Sequence, residues 1–199
     1  MHRRAVLLGA SALGFCLAAA PAAWAANPAE DFVATNIQAG FNILNDGSAA
    51  PAERRQRFAD FLLGLTDVRR VAIFSLGRYA TGAEQADLDA YIAAYQQYAM
   101  SIYQNYFQLY AGQTLKVISS RERAAGDFIV TTNMVGQGNA PLEVDFRVRT
   151  DGGKPLLVDV GVAGVWLALA QRDQFLATLA QNNGDIKALS AHLRALQTR

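Results

Sequence analysis

Residues 142–162, LEVDFRVRTDGGKPLLVDVGV, contain two alternating stretches joined by a turn, and this pattern decides the class of the fold. The first stretch alternates apolar and charged residues, which is typical of a strand with one buried face. Its apolar residues are Leu142, Val144, Phe146 and Val148. The glycines and the proline at 151–155 predict a hairpin connection, because these residue types favour tight turns. On the second strand, the residues expected on the inner face are Leu156, Val158, Val160 and Val162.

Two further strands are predicted before this hairpin. Leu115 and Val117 begin a segment of period two just after Gly112. A second alternating segment contains Phe128, Val130, Thr132 and Met134. Turn-forming residues at 136–139 connect it to the next strand. Four consecutive strands with short connections predict a four-stranded antiparallel sheet.

The rest of the chain has the spacing of amphipathic helices, with apolar residues three or four positions apart. The predicted helices cover residues 30–44, a segment beginning near Pro51, residues 67–75 and residues 84–111, and two more lie around Phe175 and after Asp185. The helix at 84–111 contains six tyrosines: Tyr91, Tyr95, Tyr98, Tyr103, Tyr106 and Tyr110. The sequence therefore predicts an α+β domain in which helices cover one face of a curved antiparallel sheet.

The first 25 residues have the plan of a secretory signal peptide. Arg3 and Arg4 precede an apolar run of about 16 residues, which is short of the roughly 20 that a membrane-spanning helix needs. Small residues precede a cleavage point after Ala25. We therefore expect residues 1–25 to be a signal peptide and residues 26–199 to form one exported domain. The arginine pair leaves the general and the twin-arginine export routes both open.

The composition of the segment 26–199 argues against several classes of function. Its cysteine count is zero because Cys16 lies in the leader, and its one histidine is His192. Without cysteine no disulfide can form, and one histidine is too few for a typical zinc site, so neither is expected. Two of the 18 basic residues and none of the 17 acids lie in the leader, so the remaining formal charge is 16 − 17 = −1. This balance does not favour nucleic-acid binding, and we expect no metal and no cofactor.

Short motifs resemble the MlaC family, also known as toluene-tolerance or Mla-type phospholipid-binding proteins. In order along the chain they are Leu76-Gly77-Arg78-Tyr79, Tyr110-Ala111-Gly112-Gln113, Val158-Asp159-Val160-Gly161-Val162-Ala163-Gly164-Val165, Gln171-Arg172-Asp173-Gln174-Phe175 and Asn183-Gly184-Asp185-Ile186. The similarity covers roughly residues 30–196. The chain departs from the family pattern at Ala80, where a tryptophan is common, at Ala163, where an acid is usual, and at Trp166.

The resemblance implies an NTF2-like cone, in which the helices and the sheet enclose an apolar pocket. It also implies a periplasmic carrier that takes part in lipid transport and outer-membrane lipid asymmetry. No firm oligomeric state follows from the sequence, but a shuttle of this kind has reason to be a monomer. Such a carrier would move phospholipid, or a hopanoid-like lipid, between an inner-membrane lipid ABC transporter complex and an outer-membrane lipoprotein–porin complex. The head group, the number of acyl chains and the direction of transport stay open.

A lipid pocket needs apolar walls, so the candidate site consists of inward residues of the sheet and the long helix. The predicted ligand-binding residues are Tyr95, Tyr98, Ile102, Val144, Phe146, Val158, Val160 and Trp166. Each of them could equally fill an ordinary core. Arg78 is a candidate phosphate contact, and a surface role is its simpler interpretation.

Two other classes of function remain as alternatives. An NTF2-like isomerase or dehydratase would need a buried Asp145 or Asp159 beside a tyrosine. Both acids fall on the polar phase of their strands, so no catalytic residue is predicted and a non-enzymatic carrier is preferred. An envelope interaction module without a ligand would have a solid core instead of a cavity.

Overall fold

A computed structural model of the chain describes residues 27–136 and 140–197. The helices within these ranges are α1 (Pro28–Leu44), α2 (Pro51–Gly64), α3 (Val68–Leu76), a 3-10 turn (Gly77–Ala80), α4 (Gln85–Leu109), α5 (Leu167–Gln181) and α6 (Ile186–Leu196). The strands are β1 (Thr114–Ala124), β2 (Asp127–Val135), β3 (Leu142–Arg149), β4 (Leu156–Val162) and β5 (Val165–Trp166). The predicted signal peptide at 1–25 and most of the turn at 136–139 lie outside the described residues.

Side-chain caps fix the starts of three helices. The side chain of Asn27 accepts the amide of Ala29 at the start of α1, where proline occupies the first helical position. Asp67 and Asp185 cap α3 and α6 in the same way. Such caps satisfy amide donors that have no carbonyl partner within the helix. The predicted starts after Asp67 and Asp185 are therefore confirmed.

The five strands form one antiparallel sheet in the order β1-β2-β3-β4-β5. The α+β class is confirmed, and the predicted four strands are corrected to five. The additional strand exists because Ala163 and Gly164 both have positive φ, at 50° and 80°. A two-residue turn of this conformation matches the twist of a hairpin, so Val165 folds back onto Val162.

A β-bulge changes which residues of β4 face the helices. Val148 pairs with Leu157, whereas the next residue of β3, Arg147, pairs with Asp159, which leaves Val158 as an extra residue. Because side chains alternate with a period of two, an inserted residue shifts the phase of the strand. The prediction that Leu156 faces inward is therefore wrong, and Leu157 takes the inward position.

Two hydrophobic clusters hold the helices and the sheet together. One joins α3, α4, α5 and α6 around side chains that are almost fully buried, including Leu76, Tyr91, Leu179, Leu189 and Leu193. The other joins α1 to the sheet through Ala29, Val33, Val130 and Val148. Val160 and Val162, on the inner side of β4, belong to neither cluster. Within the part of the chain that the structure describes, no helix combines the length and the hydropathy that a membrane span requires.

Two glycines permit close packing near the end of α3. Gly77 has a φ of 53°, and a Cβ there would lie 3.1 Å from the side chain of Leu176 on α5. Gly184 has a φ of 80°, and a Cβ there would lie 2.8 Å from the ring of Tyr79. Both positions therefore need a residue without a side chain.

Candidate functional site

A cavity of about 660 Å³ lies between the helices and the inner face of the sheet. This volume falls in the range of about 300–1,000 Å³ that is typical of ligand pockets. Its apolar walls come from Phe41, Leu44, Phe58, Leu62, Val71, Ala99, Ile102, Leu115, Met134, Val144, Phe146, Leu157, Val158, Val160, Val162, Leu167 and Ala168. Four tyrosines and four other polar residues complete the lining: Tyr95, Tyr103, Tyr106, Tyr110, Thr66, Gln113, Asp159 and Gln171.

The cavity is long as well as apolar. Its lining on α4 extends from Tyr95 to Tyr106, and the eleven steps between these residues, at 1.5 Å each, span about 16 Å. One leaflet of a bilayer has a hydrocarbon layer of about 15 Å, half of the roughly 30 Å of the whole core. The cavity therefore has the length that an extended acyl chain occupies in a membrane.

The charge of the lining is unusual for a phosphate-binding site. Among the described residues that line the cavity, none is Lys, Arg or His. A phosphate placed inside would have no cationic partner, and burial of an unpaired charge is strongly unfavourable. Across the described ranges, no group of histidine, cysteine or acidic residues could hold a metal ion. The chemistry of this cavity therefore suits hydrocarbon.

Asp159 is the acidic side chain of the lining. Its Oδ1 accepts the amides of Val160 and of Ala168, each at 2.8 Å. The second of these bonds places the carboxylate at the N-terminal end of α5, where the helix dipole favours negative charge. Burial nevertheless raises the pKa of Asp159, while the two amides and Arg147 lower it to a smaller extent.

The tyrosine hydroxyls of the cavity are neutral hydrogen-bonding groups. Tyr95 is 6% exposed, and its hydroxyl donates to Oε1 of Gln171 at 2.7 Å. Burial raises the pKa of Tyr95, Tyr103 and Tyr106. These hydroxyls therefore stay protonated at neutral pH and add no charge to the lining.

The structure brings six of the eight predicted binding residues to the cavity. They are Tyr95, Ile102, Val144, Phe146, Val158 and Val160. Tyr98 lies elsewhere, because its position on α4 turns it towards α5, where its ring centroid is 5.8 Å from that of Phe175. Trp166 packs on Gly161, its partner across the β4–β5 pair, on the face of the sheet that carries Asp145.

Several lining residues were not among the predicted ones. Phe58 and Leu62 come from α2, and their helical spacing was the signal that could have indicated them. Asp159 pairs with Arg147 and therefore belongs to the polar phase of β4, as its sequence pattern predicts. It borders the cavity where α5 begins, because its Oδ1 accepts the amide of Ala168. Arg78 lies away from the cavity lining, with its guanidinium stacked 5.0 Å from the ring centre of Tyr79.

Comparison with known proteins gives two findings. The model of the MlaC protein family matches residues 34–195. A solved structure of a phospholipid-binding protein from Ralstonia solanacearum, in complex with a phospholipid, is similar to this chain with a TM-score of 0.73. The two sequences are 18% identical, and the match covers 85% of this chain and 97% of the other. At this identity the structural similarity establishes the shared fold.

Proposed function

Because this chain belongs to the MlaC protein family, we propose that it is a lipid carrier whose cavity holds phospholipid acyl chains. The observation that carries this proposal is the cavity of about 660 Å³ with hydrocarbon walls. The similar fold of a protein described as phospholipid-binding, and solved with a phospholipid, supports it. Six of the eight predicted site residues enter the proposal, since Tyr98 and Trp166 lie outside the wall.

Hydrophobic transfer is sufficient to hold such a ligand. Each methylene moved from water to an apolar site contributes about 0.8 kcal/mol, so ten of them contribute about 8 kcal/mol. Association entropy opposes this gain by several kcal/mol. No reactive residue is needed for binding of this kind. The phosphate remains outside the cavity in this proposal, because the lining offers it no cation.

The carrier is proposed to work in the periplasm as a monomer. Residues 1–25, with their signal-peptide pattern, supply the reason for export. In this role the protein would exchange lipid with an inner-membrane lipid ABC transporter complex and with an outer-membrane lipoprotein–porin complex. The NTF2-like cone belongs to the same proposal, and helices that cover an antiparallel sheet around a cavity support it.

One observation favours an enzyme as the second candidate. Asp159 and Tyr95 both line the cavity, which is the pair that an isomerase or dehydratase acting on an apolar substrate would need. However, Oδ1 of Asp159 is held by two backbone amides, and the Tyr95 hydroxyl is bonded to Gln171. We therefore favour a carrier. An Asp159→Asn variant that binds ligand but loses turnover would establish the enzyme instead.

Native mass spectrometry of the purified protein, followed by organic extraction, tests the carrier directly. We expect a bound lipid at about one per chain, with its identity given by the extract. A protein that stays ligand-free after incubation with phospholipid vesicles would refute the proposal. That result would also favour the interaction module without a ligand. Such a module is expected to have a solid core, however, whereas the described residues surround a cavity.

A further inference from the structure

Two side chains at one end of the cavity each have a polar atom that makes no hydrogen bond with the described residues. Oδ1 of Asp159 is fully used by two amides, whereas Oδ2 receives no hydrogen bond from the described residues. Oε1 of Gln171 accepts from Tyr95, and its amide nitrogen has no partner in the same ranges. An apolar cavity that ends in a free acceptor and free donors is poorly suited to a terminal methyl group, because burial of unsatisfied polar groups is costly.

These groups lie close together at the start of α5. Asp159 bonds to the backbone amide of Ala168, and Gln171 is three residues further along the same helix. Residues three apart share a helix face and are separated by about 4.5 Å along the axis. Tyr95 joins them through its bond to Gln171. We refer to Asp159, Gln171 and Tyr95 together as the polar pole.

The chemistry of the polar pole is selective. Oδ2 of Asp159 can accept a hydrogen bond from a hydroxyl or an ammonium group, and the amide of Gln171 can donate one to a hydroxyl oxygen. Arg147, which pairs with Asp159 across the sheet, is bonded to Asp127 and is not part of the described lining. A carboxylate or phosphate in the cavity would therefore face the Asp159 charge without a cation in the lining to offset it. A donor group is therefore stabilised here and an anion is repelled.

We propose that the polar pole binds a hydrogen-bond-donating group of the lipid, a hydroxyl or an ammonium, and excludes anionic groups from this end of the cavity. This inference rests on the proposed lipid-carrier function and deepens it. The bound lipid then places a hydroxyl or an ammonium group against Asp159, while its phosphate stays outside the cavity.

Three single-chain probes of equal length test the pole. Dodecanol, dodecylammonium and dodecanoate are titrated at about pH 8 against the protein loaded with a fluorescent phospholipid, and displacement gives each relative affinity. We expect dodecylammonium and dodecanol to bind at least about tenfold more tightly than dodecanoate, as hydrogen bonds to a charged group imply. If dodecylammonium binds more tightly than dodecanol, the pole recognises mainly the positive charge. If dodecanol binds more tightly, the pole recognises mainly the hydroxyl group.

Asp159→Asn is the decisive variant, because asparagine keeps the oxygen that accepts the two amides and replaces the free oxygen with a donor. We expect it to weaken dodecylammonium about tenfold or more and to strengthen dodecanoate. Asp145→Asn is the matched control on the outer face, where Asp145 accepts from Thr131, and it should change none of the three affinities. Gln171→Met should weaken dodecanol and leave dodecylammonium unchanged, so the inference stays testable if Asp159→Asn fails to fold.

The outcomes separate this inference from the carrier function. Equal binding of the three probes to a protein that still carries phospholipid overturns the polar pole alone, as does an Asp159→Asn protein with unchanged preferences. If neither the probes nor the phospholipid bind at all, the carrier proposal fails, and the inference fails with it.

Discussion

Replacement of Val144 by tryptophan tests whether the cavity is the lipid site. Val144 lies on β3, is 7% exposed and contributes to the cavity wall. The substitution adds roughly seven non-hydrogen atoms to the cavity, and each of them displaces about one chain methylene worth about 0.8 kcal/mol. The predicted loss is about 5–6 kcal/mol, or roughly a 10⁴-fold weaker affinity for phospholipid.

The same substitution should leave the fold intact, because the new side chain enters an open volume. Two further tryptophan variants give the comparison. Val165 lies on β5 and is 56% exposed, so Val165→Trp should change neither the free energy of unfolding nor the affinity for lipid. Val148→Trp lies on the same strand face as Val144, but in the packed cluster under α1, so overpacking should destabilise it by about 1–3 kcal/mol.

The assay combines lipid occupancy by native mass spectrometry with urea unfolding of the same preparations. A Val144→Trp protein that unfolds like the wild type and still carries one lipid per chain would refute the assignment of the cavity. Loss of lipid in the Val165→Trp protein would refute it as well, because that side chain lies outside the wall.

Three further predictions concern stability. The Arg147 guanidinium lowers the pKa of Asp127. The ion pair therefore stabilises the fold above the unfolded pKa near 3.8 and loses this contribution as pH falls through the lowered pKa. Urea unfolding should show Asp127→Asn to be less stable than the wild type at about pH 7, with a difference that shrinks as the pH falls below about 4. Gly184→Ala should destabilise by more than about 1 kcal/mol, because φ is positive and the Cβ meets Tyr79; an unchanged melting temperature would contradict this. Tyr91→Phe removes a buried 2.6 Å hydrogen bond between hydroxyls and should lower the free energy of unfolding by about 1 kcal/mol, with equal urea midpoints as the opposing result.

The sequence determined the elements of this fold, because their signals are local. Alternation in residues 142–149 required a strand with one buried face, and caps such as Asp67 and Asp185 marked helix starts through bonds to amides two or three residues away. Tyr95, Ile102 and Val144 lie in the cavity wall for the same reason, since a period of 3.6 or 2 fixes the face on which a side chain lies.

Tertiary structure decided the features that depend on pairing between distant residues. The bulge at Val158 exists only in the register of β4 against β3, and it places Leu157 in the cavity while Leu156 faces away. Trp166 lies on the outer face because it pairs with Gly161. The cavity also depends on tertiary structure. A pattern of apolar residues predicts that side chains point inward, but the distance between α4 and the sheet decides whether those side chains meet or leave a space for lipid.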